Sequence, residues 1–185
     1  MPAGVQYLAL LRGINVGGKN LVKMADLRTA VEDLGFADVA TYIASGNVLF
    51  RAPRGKRDEL ASGIESHLSR QFGTGLKAVL LTKAQLEDVV AGAPRGFGGK
   101  SHLSDVIFLR KPLTARKAFG VLEMRPGVDR AWPGTGVIYC SRLASKASGS
   151  RLSKVVALPE YQNMTLRSWS TTTKLLAKMD ERSAG

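Results

Sequence analysis

Residues Gly13-Ile14-Asn15-Val16-Gly17-Gly18-Lys19-Asn20 come close to the phosphate-binding pattern G-x-x-x-x-G-K-[ST]. In that pattern backbone N–H groups cradle the phosphates, the lysine reaches them, and the closing hydroxyl binds Mg²⁺. Here Asn20 replaces the hydroxyl, and helical periodicity begins only at Met24. Nucleoside triphosphate hydrolysis is therefore not expected. What the loop retains is a glycine-rich backbone able to hold an anion, with Arg12, Asn15, Gly17, Gly18 and Lys19 as candidate ligands. The plainer reading is a tight turn.

Three further groups carry possible chemistry. Ser45-Gly46-Asn47 makes a turn, and the Ser45 hydroxyl and Asn47 amide are also candidates for a site beside the first loop. The stretch YCSRLASKASGSRLSK, Tyr139 to Lys154, holds four basic residues, five serines and one glycine behind a strand. Hydroxyls, basic side chains and a helix N-terminus are what a phosphate or sulfate site uses. Ser150 and Arg151 are the candidates there, against a solvated loop. Arg167, set among small hydroxyl residues, is an anion ligand or a partner for backbone carbonyls. Two histidines and one cysteine offer no zinc spacing, and no nucleophile elbow occurs. No metal or cofactor is expected, and no catalytic residue is assigned.

These residues must be positioned by short, repeated elements. Val5–Leu11 is an apolar run that reads as a buried strand. Met24, Leu27, Val31 and Leu34 recur at helical spacing, with Gly35 at the C-cap. Val39–Ile43 and Val48–Phe50 flank a Gly-Asn turn as a hairpin. Leu60, Ile64 and Leu68 mark a second helix, and Leu76–Leu81 a further strand. The order β-α-β-β-α-β is the split βαβ pattern. Thr82-Lys83-Ala84-Gln85 is a capping-box signature for the next helix, and Gly92–Gly99 reads as a linker.

The second half repeats this order: a strand over Val106–Leu109, a helix over Thr114–Leu122, paired strands at Ala131-Trp132 and Val137–Cys140, a short helix over Ser150–Leu158, and a terminal helix from Ser168. Thr165–Thr171 is read as the opening of that helix, with Ser168 or Ser170 as its cap. The expectation is an α+β fold of duplicated ferredoxin-like halves, residues 1–92 and 93–185, with antiparallel sheets and helices packed on one face.

The chain has 185 residues and a net charge of +12. Residues 1–92 carry +2 and residues 93–185 carry +10. Such a field favours anionic partners. No run approaches the length of a membrane span, residues 1–11 do not read as a signal peptide, and one cysteine, Cys140, forms no internal disulfide. The reading is a cytoplasmic protein without a membrane partner.

Residues 8–50, LALLRGINVGGKNLVKMADLRTAVEDLGFADVATYIASGNVLF, resemble the signature of the domain-of-unknown-function family 1697. Shared features are the LLRGINVGG start, the KM-x-x-L helix and the TYI-x-SGNV hairpin. TLRSWSTTTKLL, residues 165–176, resembles the family's T-x-RNW-x-T segment, and Ser150-Arg151-Leu152 its SKL element. Ser168 stands where the family usually has Asn, and Arg151 where it often has Lys. The resemblance implies a duplicated ferredoxin-like fold and no established activity. The leading functional expectation is a binding protein for an anionic ligand, nucleic acid or a phosphorylated small molecule. The alternative is an enzyme acting on a phosphorylated or carboxylated metabolite at a site between the halves.

Overall fold

The computed structural model describes residues 4–15, 18 and 21–184; Gly17 and Lys19 of the first loop lie outside them. The chain divides into two compact units, Met1–Leu86 with Ala177–Gly185, and Glu87–Leu176. The first contains β1 (Val5–Arg12), α1 (Met24–Glu32), β2 (Ala37–Tyr42), β3 (Asn47–Ala52), α2 (Arg57–Phe72) and β4 (Lys77–Thr82). Its sheet has the order β2-β3-β1-β4, with every neighbour antiparallel. Tyr7, Ala9 and Leu11 of β1 form one core with Leu27 and Val31 of α1 and Ile64 and Leu68 of α2. Leu8 and Leu10, on the opposite face of β1, are buried as well. A strand buried on both faces reads as an unbroken apolar run, which is why β1 shows no alternation in sequence.

Thr82 caps α3 (Lys83–Ala91) as its signature predicts. Gln85 Oε1 accepts from the Thr82 N–H at 3.0 Å, and Thr82 Oγ1 accepts from the Gln85 N–H at 3.4 Å. The second unit then repeats the strand order. It contains β5 (His102–Leu109), α4 (Ala115–Val121), β6 (Asp129–Pro133) and β7 (Val137–Leu143). Three 3-10 turns follow, Ala144–Gly149, Leu152–Ala157 and Pro159–Asn163, and then β8 (Met164–Ser168). α5 (Trp169–Ala184) ends the chain. The sheet order is β6-β7-β5-β8, again all antiparallel. Ile107, Ile138, Cys140 and Met164 pack against Ala118 of α4 and against Leu152 and Val155 of the middle 3-10 turn. The fold is α+β with two similar ferredoxin-like halves, and the 3-10 turns occupy the place that α2 has in the first.

Two expectations change in detail. Ser150–Leu158 is helical only over Leu152–Ala157, and as a 3-10 rather than an α-helix; its serines, which compete for backbone groups, and its β-branched valines favour the shorter form. Thr165–Arg167 does not open the last helix; it lies in β8, paired to β5 with Phe108 opposite Thr165 and Val106 opposite Arg167. The helix starts one residue after Ser168, whose Oγ accepts from the Thr171 N–H at 3.1 Å. Ser168 thus performs the capping that its side chain suggests. Among the described residues no helix is long and apolar enough to cross a membrane.

Candidate functional site

In the first unit, β1 delivers Arg12 to one end of the sheet, where it pairs in register with Lys77. The loop that follows is closed by Asn15. Its Oδ1 accepts from the Val22 N–H at 2.7 Å, and its Nδ2 donates to the carbonyls of Val22 at 3.2 Å and Ala44 at 2.9 Å. One carboxamide therefore zips the loop and ties it to the hairpin turn. Asn15 itself holds φ 51°, a conformation asparagine tolerates. Gly46 sits at φ 76° with its carbonyl accepting from the Leu11 N–H at 2.8 Å. A Cβ there would stand 2.9 Å from Leu11 Cβ and from Ile14 Cδ1, so only glycine lets loop and turn approach.

Asn47 is fully buried. Its Nδ2 donates to the Tyr42 carbonyl and to Ser45 Oγ, both at 2.9 Å. Arg12, Asn15, Ser45 and Asn47 are thus brought to one end of one sheet, but both amides are spent on bracing the backbone. Gly18, at φ 72°, is exposed.

Ser150 and Arg151 lie elsewhere, at a second constellation in the other unit, centred on Asp129. This residue opens β6 and is 7% exposed. Its Oδ2 accepts from the backbone N–H groups of Arg125 and Arg151, each at 2.8 Å. Its partner across the sheet is Arg142, which also binds Asp105 at 3.0 Å. Burial pushes the Asp129 carboxyl up. Hydrogen bonds from the Ser150 hydroxyl and from the Arg151 and Arg125 N–H groups, with the charge of Arg142, outweigh burial and hold it below the ordinary 3.8.

Asp129 therefore ties together two backbone segments, the turn after Met124 and the end of the first 3-10 turn. Between them runs a groove of about 380 Å³, lined by Arg125, Pro126, Gly127 and Val128 on one side and by Ser145, Lys146, Ser148 and Gly149 on the other. Arg125 Nη1 donates across it to the Gly149 carbonyl at 3.4 Å. A Cβ on Gly149 would fall 2.3 Å from that nitrogen, so the missing side chain is what lets the guanidinium lie against the backbone. Lys146 sits at a kink in the 3-10 segment, φ −126° and ψ 18°. Among the described residues, neither Arg125 nor Lys146 pairs with a carboxylate, and the hydroxyls of Ser145 and Ser148 make no hydrogen bond. By contrast Lys154 pairs with Glu123 at 2.7 Å.

Arg167 belongs to neither constellation. It is buried in β8 and donates through Nη1 to the Leu166 carbonyl at 2.8 Å. Burial pushes its guanidinium down to about 10, against a smaller opposing effect of Tyr161. Among the described residues no cluster of three or more His, Cys, Asp or Glu side chains is placed to hold a metal ion.

Arg125, Asp129 and the two serines of the groove were not singled out by residue type. The available signal is Arg125-Pro126-Gly127-Val128-Asp129, a turn sequence with a cation at one end and a strand-opening acid at the other. Its partner, Lys146, lies within the serine-rich basic segment already marked as phosphate-like.

No curated protein matches the chain. Among solved structures, a conserved bacterial protein from Streptococcus pneumoniae is similar: 26% identity, a TM-score of 0.81, and coverage of 95% of this chain and 98% of that one. The model of a family described as "Protein of unknown function (DUF1697)" matches residues 5–139. That match takes in all of β1 through β6 and more than half of the chain, and the protein belongs to this family.

Proposed function

We propose that the protein binds a phosphate-bearing ligand, and that it does so in the groove between Arg125–Val128 and Ser145–Gly149. The observation that carries this reading is the pair of cations, Arg125 and Lys146, facing one groove without a carboxylate partner among the described residues. A guanidinium offers a planar fork of donors and an ammonium a point charge, and the two together suit an anionic oxygen cluster. The unit that holds them carries 14 Lys and Arg against 6 Asp and Glu, which adds a long-range field of the same sign.

Asp129 does not oppose this. Its Oδ2 accepts from the two backbone N–H groups and so braces the walls of the groove, while Oδ1 is buried and makes no hydrogen bond among the described residues. Ser150 and Arg151 act in this reading through Asp129. Arg12, Asn15, Gly17, Gly18, Lys19, Ser45 and Asn47 would belong to a separate anion-binding loop, a weaker candidate because Asn15 and Asn47 are engaged with backbone.

The test is fluorescence anisotropy with a labelled, phosphorylated oligonucleotide across a salt series. Arg125→Ala and Lys146→Ala should each weaken binding by roughly tenfold, about 1.4 kcal/mol, without a change in melting temperature. Loss of each cation should also flatten the salt dependence by about one ion. Binding that is equal in wild type and both variants would overturn the assignment to this groove.

A further inference from the structure

Resting on the reading just given, we infer that the groove recognises a terminal phosphate, a monoester end with three free oxygens, in preference to the diester linkages of a nucleic-acid backbone. The donors of the groove outnumber the acceptors of a diester. Arg125 supplies a fork of N–H groups, Lys146 an ammonium, and Ser145 and Ser148 two hydroxyls that make no other hydrogen bond among the described residues. A diester offers only two non-bridging oxygens and a single negative charge. A monoester offers three oxygens and close to two charges near neutral pH. These donors are exposed, so against a diester the unmatched ones keep water, and the diester gains fewer charge-assisted hydrogen bonds and a weaker charge attraction than the monoester.

The form of the groove points the same way. Its donors are crowded into two short segments, Arg125 to Val128 and Ser145 to Gly149, tied to each other by Asp129 below and by the Arg125–Gly149 contact above. A backbone-tracking surface spaces its cations along a strip instead. Elsewhere in this unit several cations are already occupied: Lys154 by Glu123, Lys117 by Glu160, Arg142 by Asp105.

The experiment is calorimetric titration of the full chain with adenosine 5′-monophosphate, with adenosine 3′,5′-cyclic monophosphate, and with adenosine. The first two share base and sugar and differ in monoester against diester. The monoester should bind about tenfold or more tighter than the cyclic diester, and adenosine should give no measurable heat. Arg125→Lys, which keeps the charge and removes the fork, should shrink the preference, and Lys146→Ala should weaken both phosphates. Equal binding of monoester and diester, lost in Lys146→Ala, would overturn the terminal-phosphate inference and leave the phosphate-binding reading standing. A monoester preference untouched by either substitution would overturn the placement in this groove. Binding of neither phosphate would overturn both.

Discussion

The same corner of the two sheets is built from the same pair of residues and finished differently. In the first unit Asp38, at the start of β2, faces Arg51 of β3, with Arg51 Nε 3.5 Å from Asp38 Oδ2. In the second, Asp129, at the start of β6, faces Arg142 of β7. In the first corner a further arginine closes the structure. Arg182 of α5 pairs with Asp38 Oδ1 and donates to the Asp38 carbonyl, and the Arg182 carbonyl accepts from Arg51 Nη2 at 2.8 Å. At the second corner the carboxylate takes backbone N–H groups instead, and the side chains of Arg125 and Lys146 face a groove. A repeated strand frame thus supplies an acid–arginine corner twice. A helix terminus covers the first corner, whereas two loops frame the second and leave its cations facing the groove.

The largest expected effect comes from removing the acid of the open corner. Asp129→Ala leaves the N–H groups of Arg125 and Arg151 without their acceptor and takes one of two nearby carboxylates from Arg142, which keeps Asp105. A loss of about 2–4 kcal/mol is expected, a fall in melting temperature of roughly 5–15 °C for a chain of this size. Asp129→Asn, which keeps one acceptor oxygen, should lose less. The sign with pH is fixed by the direction of the shift. A carboxyl held below 3.8 in the folded state stabilises the fold above 3.8, and the contribution fades as acid takes the pH through its folded value. The gap in stability between wild type and Asp129→Asn should therefore narrow below about pH 3.8. A gap constant from pH 7 into acid would mean that the carboxylate does not brace the corner.

Removing the cover of the closed corner should cost less. Arg182 and Asp38 are each partly exposed, with side-chain exposures of 23% and 33%. Arg182→Ala is expected to destabilise by about 1 kcal/mol, read by urea unfolding, and to leave phosphate binding unchanged. An effect as large as that of Asp129→Ala would erase the distinction between the corners.

How much of this could be read from sequence depends on how local the determinant is. The β1 run and the Thr82–Gln85 capping box each depend on residues within a few positions, and each was legible; the helix after Thr114 was legible too, though not that Thr114 Oγ1 caps it by accepting from the Lys117 N–H at 3.3 Å. β8 was not. Its five residues, MTLRS, run into a cluster of hydroxyl residues that reads as a helix start, and what makes them a strand is pairing with β5 some 60 positions earlier. The groove was half legible for the same reason. Lys146, Ser150 and Arg151 fall in one conspicuous segment. Arg125 and Asp129 join them only because Asp129 Oδ2 bridges 22 positions to the Arg151 N–H. Asn15 and Asn47 carry the opposite lesson: amides that look like ligand residues by type are consumed by carbonyls five to 29 positions away in sequence and by the Ser45 hydroxyl, a use that spacing does not reveal.

The smallest effect on stability is expected at Gly149, and it is the sharpest probe of what the open corner is for. A Cβ added there meets Arg125 Nη1 at 2.3 Å and Cζ at 3.3 Å, the far end of a flexible side chain, and the backbone of Gly149 is not in the left-handed region. Gly149→Ala should therefore change stability by no more than about 0.5 kcal/mol, because the guanidinium can swing into solvent. The swing carries the fork of donors away from the groove, so affinity for a phosphate-bearing probe should fall while the fold is intact. Equal affinity in Gly149→Ala and wild type would show that the seat of Arg125 against the Gly149 carbonyl plays no part in binding. A fall in affinity without a fall in stability separates the site from the scaffold, which Asp129 variants, acting on both, cannot do.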